Sequence, residues 1–296
     1  CEADMLISYS RPESLSWTLT GTGAAFLTDD DRLTNGRPES GTRIQWLTGA
    51  QTTSSVLGLR GTWPQAAVIR LCGLVGLTMP TGTRIVCRLK RAADAGYTYQ
   101  SVETDVVQRF DGVRVAWFPF DAGLDEVVSV EFAIYNDVDG SAAIDADSTF
   151  QIGEAWIGEG EDWCIRPQYQ SERKDLSKMN KSLGGQPFPV RRRAEAISQI
   201  EFTPQIYSDA YVDTGSFADM RERMLAFEPC VVVPITGEPF SNSAVTIANV
   251  NRHAEFGYCS NPGPIVGQAP RFVMSAQFTA PPALLPASEV VDSSGS

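Results

Sequence analysis

Through the first half of the chain, apolar and polar residues alternate in short runs, and Gly, Pro, Asp and Asn clusters separate the runs. Leu15, Trp17 and Leu19 alternate weakly, as a first strand would. Thr42–Leu47, Ser54–Leu59, Ala66–Thr78, Thr83–Lys90, Thr104–Phe110, Val113–Phe120 and Glu126–Asn136 follow at roughly ten-residue spacing. A period of two sends alternate side chains to opposite faces of a sheet, so this pattern predicts an antiparallel β-sandwich. AAVIRLCGLVGLT is apolar on both faces and suits a central pair of strands. In the next strand Ile85, Cys87 and Leu89 alternate with Arg84, Arg88 and Lys90, which places the charged set toward solvent.

The stretch Val127–Gly158 organises the rest. One strand carries Val128, Val130, Phe132 and Ile134 on one face and runs into an Asp/Gly-rich turn, Asp137–Asp147. The strand Thr149–Ile157 then carries Phe150, Ile152 and Trp156 on one face, with Gln151, Gly153 and Ala155 on the other. This pair closes a first domain, residues 1–160. Residues 161–193 are polar, Gly/Pro-punctuated and locally basic, as a connector would be. Residues 194–283 read as a small α+β domain. Its one clear helix is Phe217–Phe227, capped by Ser216 and stopped at Glu228-Pro229. Its strands are Ile197–Ile206, Cys230–Pro234, Ser243–Val250, His253–Cys259 and Arg271–Thr279. The Pro-, Ala- and Ser-rich residues 284–296 read as a flexible tail.

Charge and composition narrow the function. The 24 Lys+Arg against 36 Asp+Glu leave a net charge of −12, which disfavours a nucleic-acid binder because phosphate neutralisation needs a basic face. No apolar run approaches the roughly 18 residues that a membrane-spanning helix requires, and CEADMLISYS lacks the pattern of a signal peptide. The cysteines, Cys1, Cys72, Cys87, Cys164, Cys230 and Cys259, form no C-x-x-C pair and read as buried thiols; Cys72 and Cys87 are the one pair placed nearly opposite each other. Catalysis finds little support. Any triad must use the single histidine, His253, and no nucleophile elbow precedes it. The glycine pairs form no phosphate loop. The carboxylates Glu154, Glu159, Glu161 and Asp162 read as a solvated rim rather than a catalytic pair. Stacking of a sugar ring needs exposed aromatics, for which Trp63, Tyr97 and Tyr99 are candidates; Trp46 and Trp117, inside alternating strands, read as core.

Two motifs resemble a known group. FQIGEAWIG at 150–158 resembles the closing I-x-I-G-x-x-x-x-G strand of the galactose-binding-like jelly roll found in structural proteins of tailed-bacteriophage tails. SLGGQPFPVRRR at 182–193 is similar to the polar connector that follows it there, and the element order of 194–283 resembles the tube-like domain of phage distal-tail proteins. The resemblance implies a mainly β protein with an N-terminal jelly-roll sandwich. It implies a non-enzymatic virion structural protein of the tail tip or baseplate, assembled in the host cytoplasm. The protein would form a hexameric or trimeric ring with copies of itself and link the tail to adsorption proteins. Candidate assembly contacts are Arg191, Arg192, Arg193, Asp137 and Asp139. The alternative is a carbohydrate-binding module for adsorption to a host-surface glycan. LTNG at 33–36 resembles a segment of discoidin-type modules whose neighbouring loop holds a structural calcium. That resemblance implies Asp29, Asp30, Asp31 and Asn35 as candidate ligands, with hard oxygens of the kind calcium prefers, and no other cofactor.

Overall fold

The computed structural model describes residues 5–9, 11–21, 23–46, 52–109, 111–121, 124–138, 140–141, 148–163, 170–174, 178–181, 187–190, 195–202, 205, 210, 216–226, 228–233, 240–260, 263–268, 271–281 and 283. The chain is mainly β, and its paired strands are antiparallel. It divides into two units, and neither is continuous in sequence. One comprises Ser10–Gly160, Phe240–His253 and Ala283–Ser296; the other comprises Cys1–Tyr9, Glu161–Pro239 and Ala254–Pro282.

The first unit is a sandwich. The first strand of the chain, β1 (Met5–Tyr9), belongs to the other unit. One sheet has the order β2 (Ser16–Thr20), β5 (Val56–Ala67), β11 (Val127–Val138), β7 (Thr83–Arg91), β8 (Gln100–Asp105). The facing sheet runs β3 (Ala24–Phe26), β4 (Thr42–Trp46), β12 (Ser148–Trp163), β6 (Leu71–Leu77), β10 (Arg114–Pro119), β9 (Val107–Gln108). The core between them is built from alternate residues of both sheets, among them Leu57, Leu59, Leu74, Ile85, Phe118 and Phe132. Trp46 and Trp117 are buried, as their alternation predicts. Cys72 and Cys87 are also fully buried, on facing sheets rather than on neighbouring strands, and burial pushes the Cys87 thiol up.

Two breaks in the alternation decide which side chains enter this core. A register shift in β11 between Val127 and Ser129 carries Val127 inward and leaves Val128 half-buried. In β12 the core members are Phe150 and Ile152, then Ala155 and Ile157. The paired strand changes in step, from Leu77 to Leu74 and Cys72. Between these two levels lie Gly153 and Gly76, and Gly76 has φ +70°. The inversion corrects the expected face of β12: Ala155 points to the core, and Trp156 lies on the opposite face beside Glu154.

The second unit is one antiparallel sheet with the order β13 (Gln170–Lys174), β16 (Glu195–Glu201), β21 (Ser275–Ala280), β18 (Glu255–Ser260), β17 (Pro229–Val233), β1. Short hairpins β14 (Lys178–Lys181) with β15 (Pro187–Val190), and β19 (Val266–Gln268) with β20 (Arg271–Val273), accompany it. The connector expected at 161–193 therefore contains paired strands. Helix α1 (Phe217–Leu225) forms where expected, and Ser216 Oγ accepts the Asp219 N–H at 3.3 Å. Phe217 packs with Trp163 and Phe202 at ring distances of 5.2 and 5.5 Å.

The strand expected at Ser243–Val250 is instead helix α2 (Ala244–His253), and it belongs to the sandwich unit. Its β-branched residues favoured a strand reading. Two local facts override that preference. Ser243 caps the helix by accepting the Thr246 N–H at 3.2 Å, and the buried residues Thr246, Val250 and Asn251 fall on one helical face.

Candidate functional site

The outer face of the five-stranded sheet carries a connected polar network. Because core residues occupy alternate positions, Arg60, Arg84, Arg88, Ser129, Glu131, Tyr135 and Asp137 share the opposite face. Glu131 is buried between two cations: Arg60 Nε lies 2.7 Å from Oε1 and Arg88 Nη1 3.1 Å from Oε2. Arg88 also donates to the Tyr135 hydroxyl at 2.8 Å, while Arg84 covers the Tyr135 ring at 3.9 Å and pairs with Asp137 at 3.3 Å. Arg60 lies over Tyr97 at 5.0 Å. Ser129 Oγ donates to the Gly61 carbonyl, so at 2.8 Å it accepts from the Tyr97 hydroxyl. The result is a lattice in which each charge has an opposite neighbour and each tyrosine ring rests on a guanidinium.

The sequence candidates fall unevenly on this map. Tyr97 is half-buried in the lattice. Tyr99 is half-buried beside it, under Arg91 at 4.1 Å, and Arg91 in turn bonds Asp94 and holds that carboxyl below its usual range. Trp63 is a correction: it is 6% exposed, in the core, with its indole N–H donating to the Val127 carbonyl at 3.0 Å, so it offers no open ring to a sugar. Asp137 is committed to Arg84 and to the Gly140 N–H. Asp139, Arg191, Arg192 and Arg193 lie outside the described residues. In the aspartate loop a 3-10 turn spans Asp30–Thr34, and the Asn35 side chain is used internally, accepting from Arg37 N–H at 2.8 Å and donating to Ser40. Among the described residues no group of three or more His, Cys, Asp or Glu converges on a point that could hold a metal.

Glu154 is a second correction, because it is wholly buried rather than part of a solvated rim. The inversion at Gly153 carries it away from the apolar core toward Arg11, whose Nη2 lies 2.5 Å from Oε1, and Gly36 N–H donates to Oε2 at 3.1 Å. Arg11 also donates to the Thr34 carbonyl at 2.9 Å and lies over Trp156 at 4.5 Å. Burial raises the Glu154 carboxyl to about 7, against the opposing pull of Arg11 and the Gly36 amide. The group ties residue 11 and the 34–36 turn to β12.

Sequence reasoning missed a cleft of about 660 Å³ at the edge of the sandwich, between β8–β9 and α2. Asn251 lines it. That carboxamide accepts the Trp117 N–H at 2.8 Å and donates to the Trp117 carbonyl at 3.0 Å, pairing with β10 as a neighbouring strand would. It also bonds Thr104 Oγ1 and the Ile247 carbonyl. The helix is thereby held beside the strand edge, and the gap beyond it stays open. Val107, Ala244, Ile247 and Ala248 supply aliphatic surface, while Glu103, Asp105, Gln108, Arg109 and Arg252 supply polar groups. A helix written as a strand in the sequence reading gives no signal of such a cleft. No family model matches the chain, and no curated protein matches it.

Proposed function

We propose that the chain is a virion structural protein of a bacteriophage tail tip or baseplate, which builds a ring with copies of itself and links the tail to adsorption proteins. The observation that carries this reading is the outer face of the β2-β5-β11-β7-β8 sheet. Tyr and Arg are the side chains over-represented at protein interfaces. Here they are already fixed by ion pairs, hydrogen bonds and cation–π contacts, so docking them costs little further side-chain entropy. Arg60, Arg84 and Arg88 are matched within that face by Glu131 and Asp137, which suits a surface repeated by symmetry: two copies can meet there without one sign facing itself.

Light scattering of the purified chain across a concentration series tests the reading. The expected mass is that of a closed trimer or hexamer. Thr18 is exposed on the same face, opposite Arg60, and Thr18→Arg should lower that mass by crowding the face without touching the core. A mass of one chain at every concentration overturns the assembly reading, and an oligomer indifferent to Thr18→Arg overturns the assignment of the face.

A further inference from the structure

We propose that the cleft between β8–β9 and α2 binds a neutral, hydroxyl-rich ligand of the size of one or two sugar rings. This goes beyond the assembly reading and depends on none of the aromatic residues that the sequence offers for glycan contact.

The chemistry of the two walls selects the ligand. On one wall, Ala244, Ala248 and Arg252 recur at helical spacing along α2, and the two alanines are exposed, so a ligand can approach that face closely. Ile247 lies beside them, and Val107 is 37% exposed on the other wall. Together they form an aliphatic surface on which the C–H face of a ring can lie. Asn251 stands between the walls with its amide oxygen taken by the Trp117 N–H and its two amide hydrogens shared among three nearby acceptors, so it shapes the cleft rather than reading a ligand.

The polar lining excludes other classes. Glu103 and Asp105 bring negative charge, and Arg109 and Arg252 bring positive charge. Arg109 is paired with Asp111 at 3.5 Å, and Glu103 lies 3.9 Å from Arg84. A phosphate or other polyanion would meet the two carboxylates, and a polycation the two guanidiniums. A wholly apolar ligand would strip water from four charged groups without replacing it. Hydroxyls both donate and accept, so a polyol can satisfy carboxylates, guanidiniums and the Gln108 amide at once. The volume lies within the usual range of ligand clefts, roughly 300–1,000 Å³. With no aromatic ring among the described lining residues, the affinity of one site should be weak, a Kd on the order of 1 mM, and repetition in an assembly would raise it.

Saturation-transfer NMR on the full chain with glucose, galactose, mannose and N-acetylglucosamine tests the assignment. At least one of these should give transfer signals, and the signals should vanish in Ala248→Trp, which fills the cleft from an exposed helical position. Arg252→Ala, which leaves the helix surface otherwise intact, should weaken binding several-fold, so the test survives a poorly folded tryptophan variant. Absence of signal from all four sugars overturns the proposal. So does signal that persists unchanged in both variants. Either failure would leave the light-scattering test of the assembly untouched.

Discussion

At the scale of single residues, Gly153 decides the most. A Cβ there would run into the Pro38 carbonyl oxygen and lie 2.8 Å from that of Val75, so no larger residue fits without moving backbone. That close approach brings the 36–38 loop onto β12 and sends Glu154 to Arg11 rather than into the apolar core. The folded chain therefore keeps a carboxyl near 7 that an unfolded chain holds near 4.5. The folded form binds its proton more tightly, so this group favours folding at acid pH, and its contribution is lost as pH rises through about 7. The loss should be about 2 kcal/mol between about pH 5 and pH 8. Urea melts of the wild type and Glu154→Gln check it: the substitution should flatten the pH dependence, and an unchanged difference between the two pH values would refute the assignment. Much of this residue logic was legible. The motif around Gly153 was visible, and Trp46, Trp117 and the Ser216 cap fell where alternation and capping rules put them. The role of Glu154 was not, because strict alternation has no term for a paired glycine level that inverts two strands together.

At the scale of elements, strands were easier to read than the one helix that matters most to the cleft. Strands announce themselves by a period of two, and β4, β7, β10 and β11 lie close to their expected bounds. The residues of α2 carry β-branched Val245, Thr246 and Ile247, and nothing local states that a carboxamide eight residues after Ser243 will complete a distant strand edge. That bond is a tertiary fact. Its removal should be costly: Asn251→Ala leaves the buried Trp117 N–H and carbonyl without their partner, and a loss of about 2–4 kcal/mol is expected from two such groups. Asn251→Asp keeps the shape and the acceptor but loses the donor to the Trp117 carbonyl, and should not restore stability. Denaturant titration distinguishes them. A melt of Asn251→Ala within about 0.5 kcal/mol of the wild type would show that the amide is not what holds α2 to the sheet.

At the scale of the molecule, the mainly β character was legible from the alternating runs, and the discontinuous make-up of the two units was not. A sequence reading cuts a chain into consecutive pieces. This chain instead lends β1 to the second unit and Phe240–His253 to the first. The exchange has a physical motive in the sandwich: β10 is followed on its outer side by β9, which pairs with it only at Arg114 and Val115, so the edge at Trp117 needs a cover from elsewhere. An uncovered edge strand invites pairing with other chains. A fragment limited to Ser10–Gly160 should therefore melt at lower temperature and self-associate, although it contains the described strands of both sheets, β12 as far as Gly160. The same fragment with Phe240–His253 joined to its end by a flexible linker should recover a cooperative melt and a single-chain elution volume, and Asn251→Ala in the joined fragment should undo the recovery. Equal melting temperatures with and without the helix would mean that the sandwich is complete at Gly160 and that α2 is only an attachment. A gain from the wild-type helix that the Asn251→Ala helix does not reproduce would place the completion of the sandwich in one side-chain amide, ninety residues beyond the point where the alternating pattern ends.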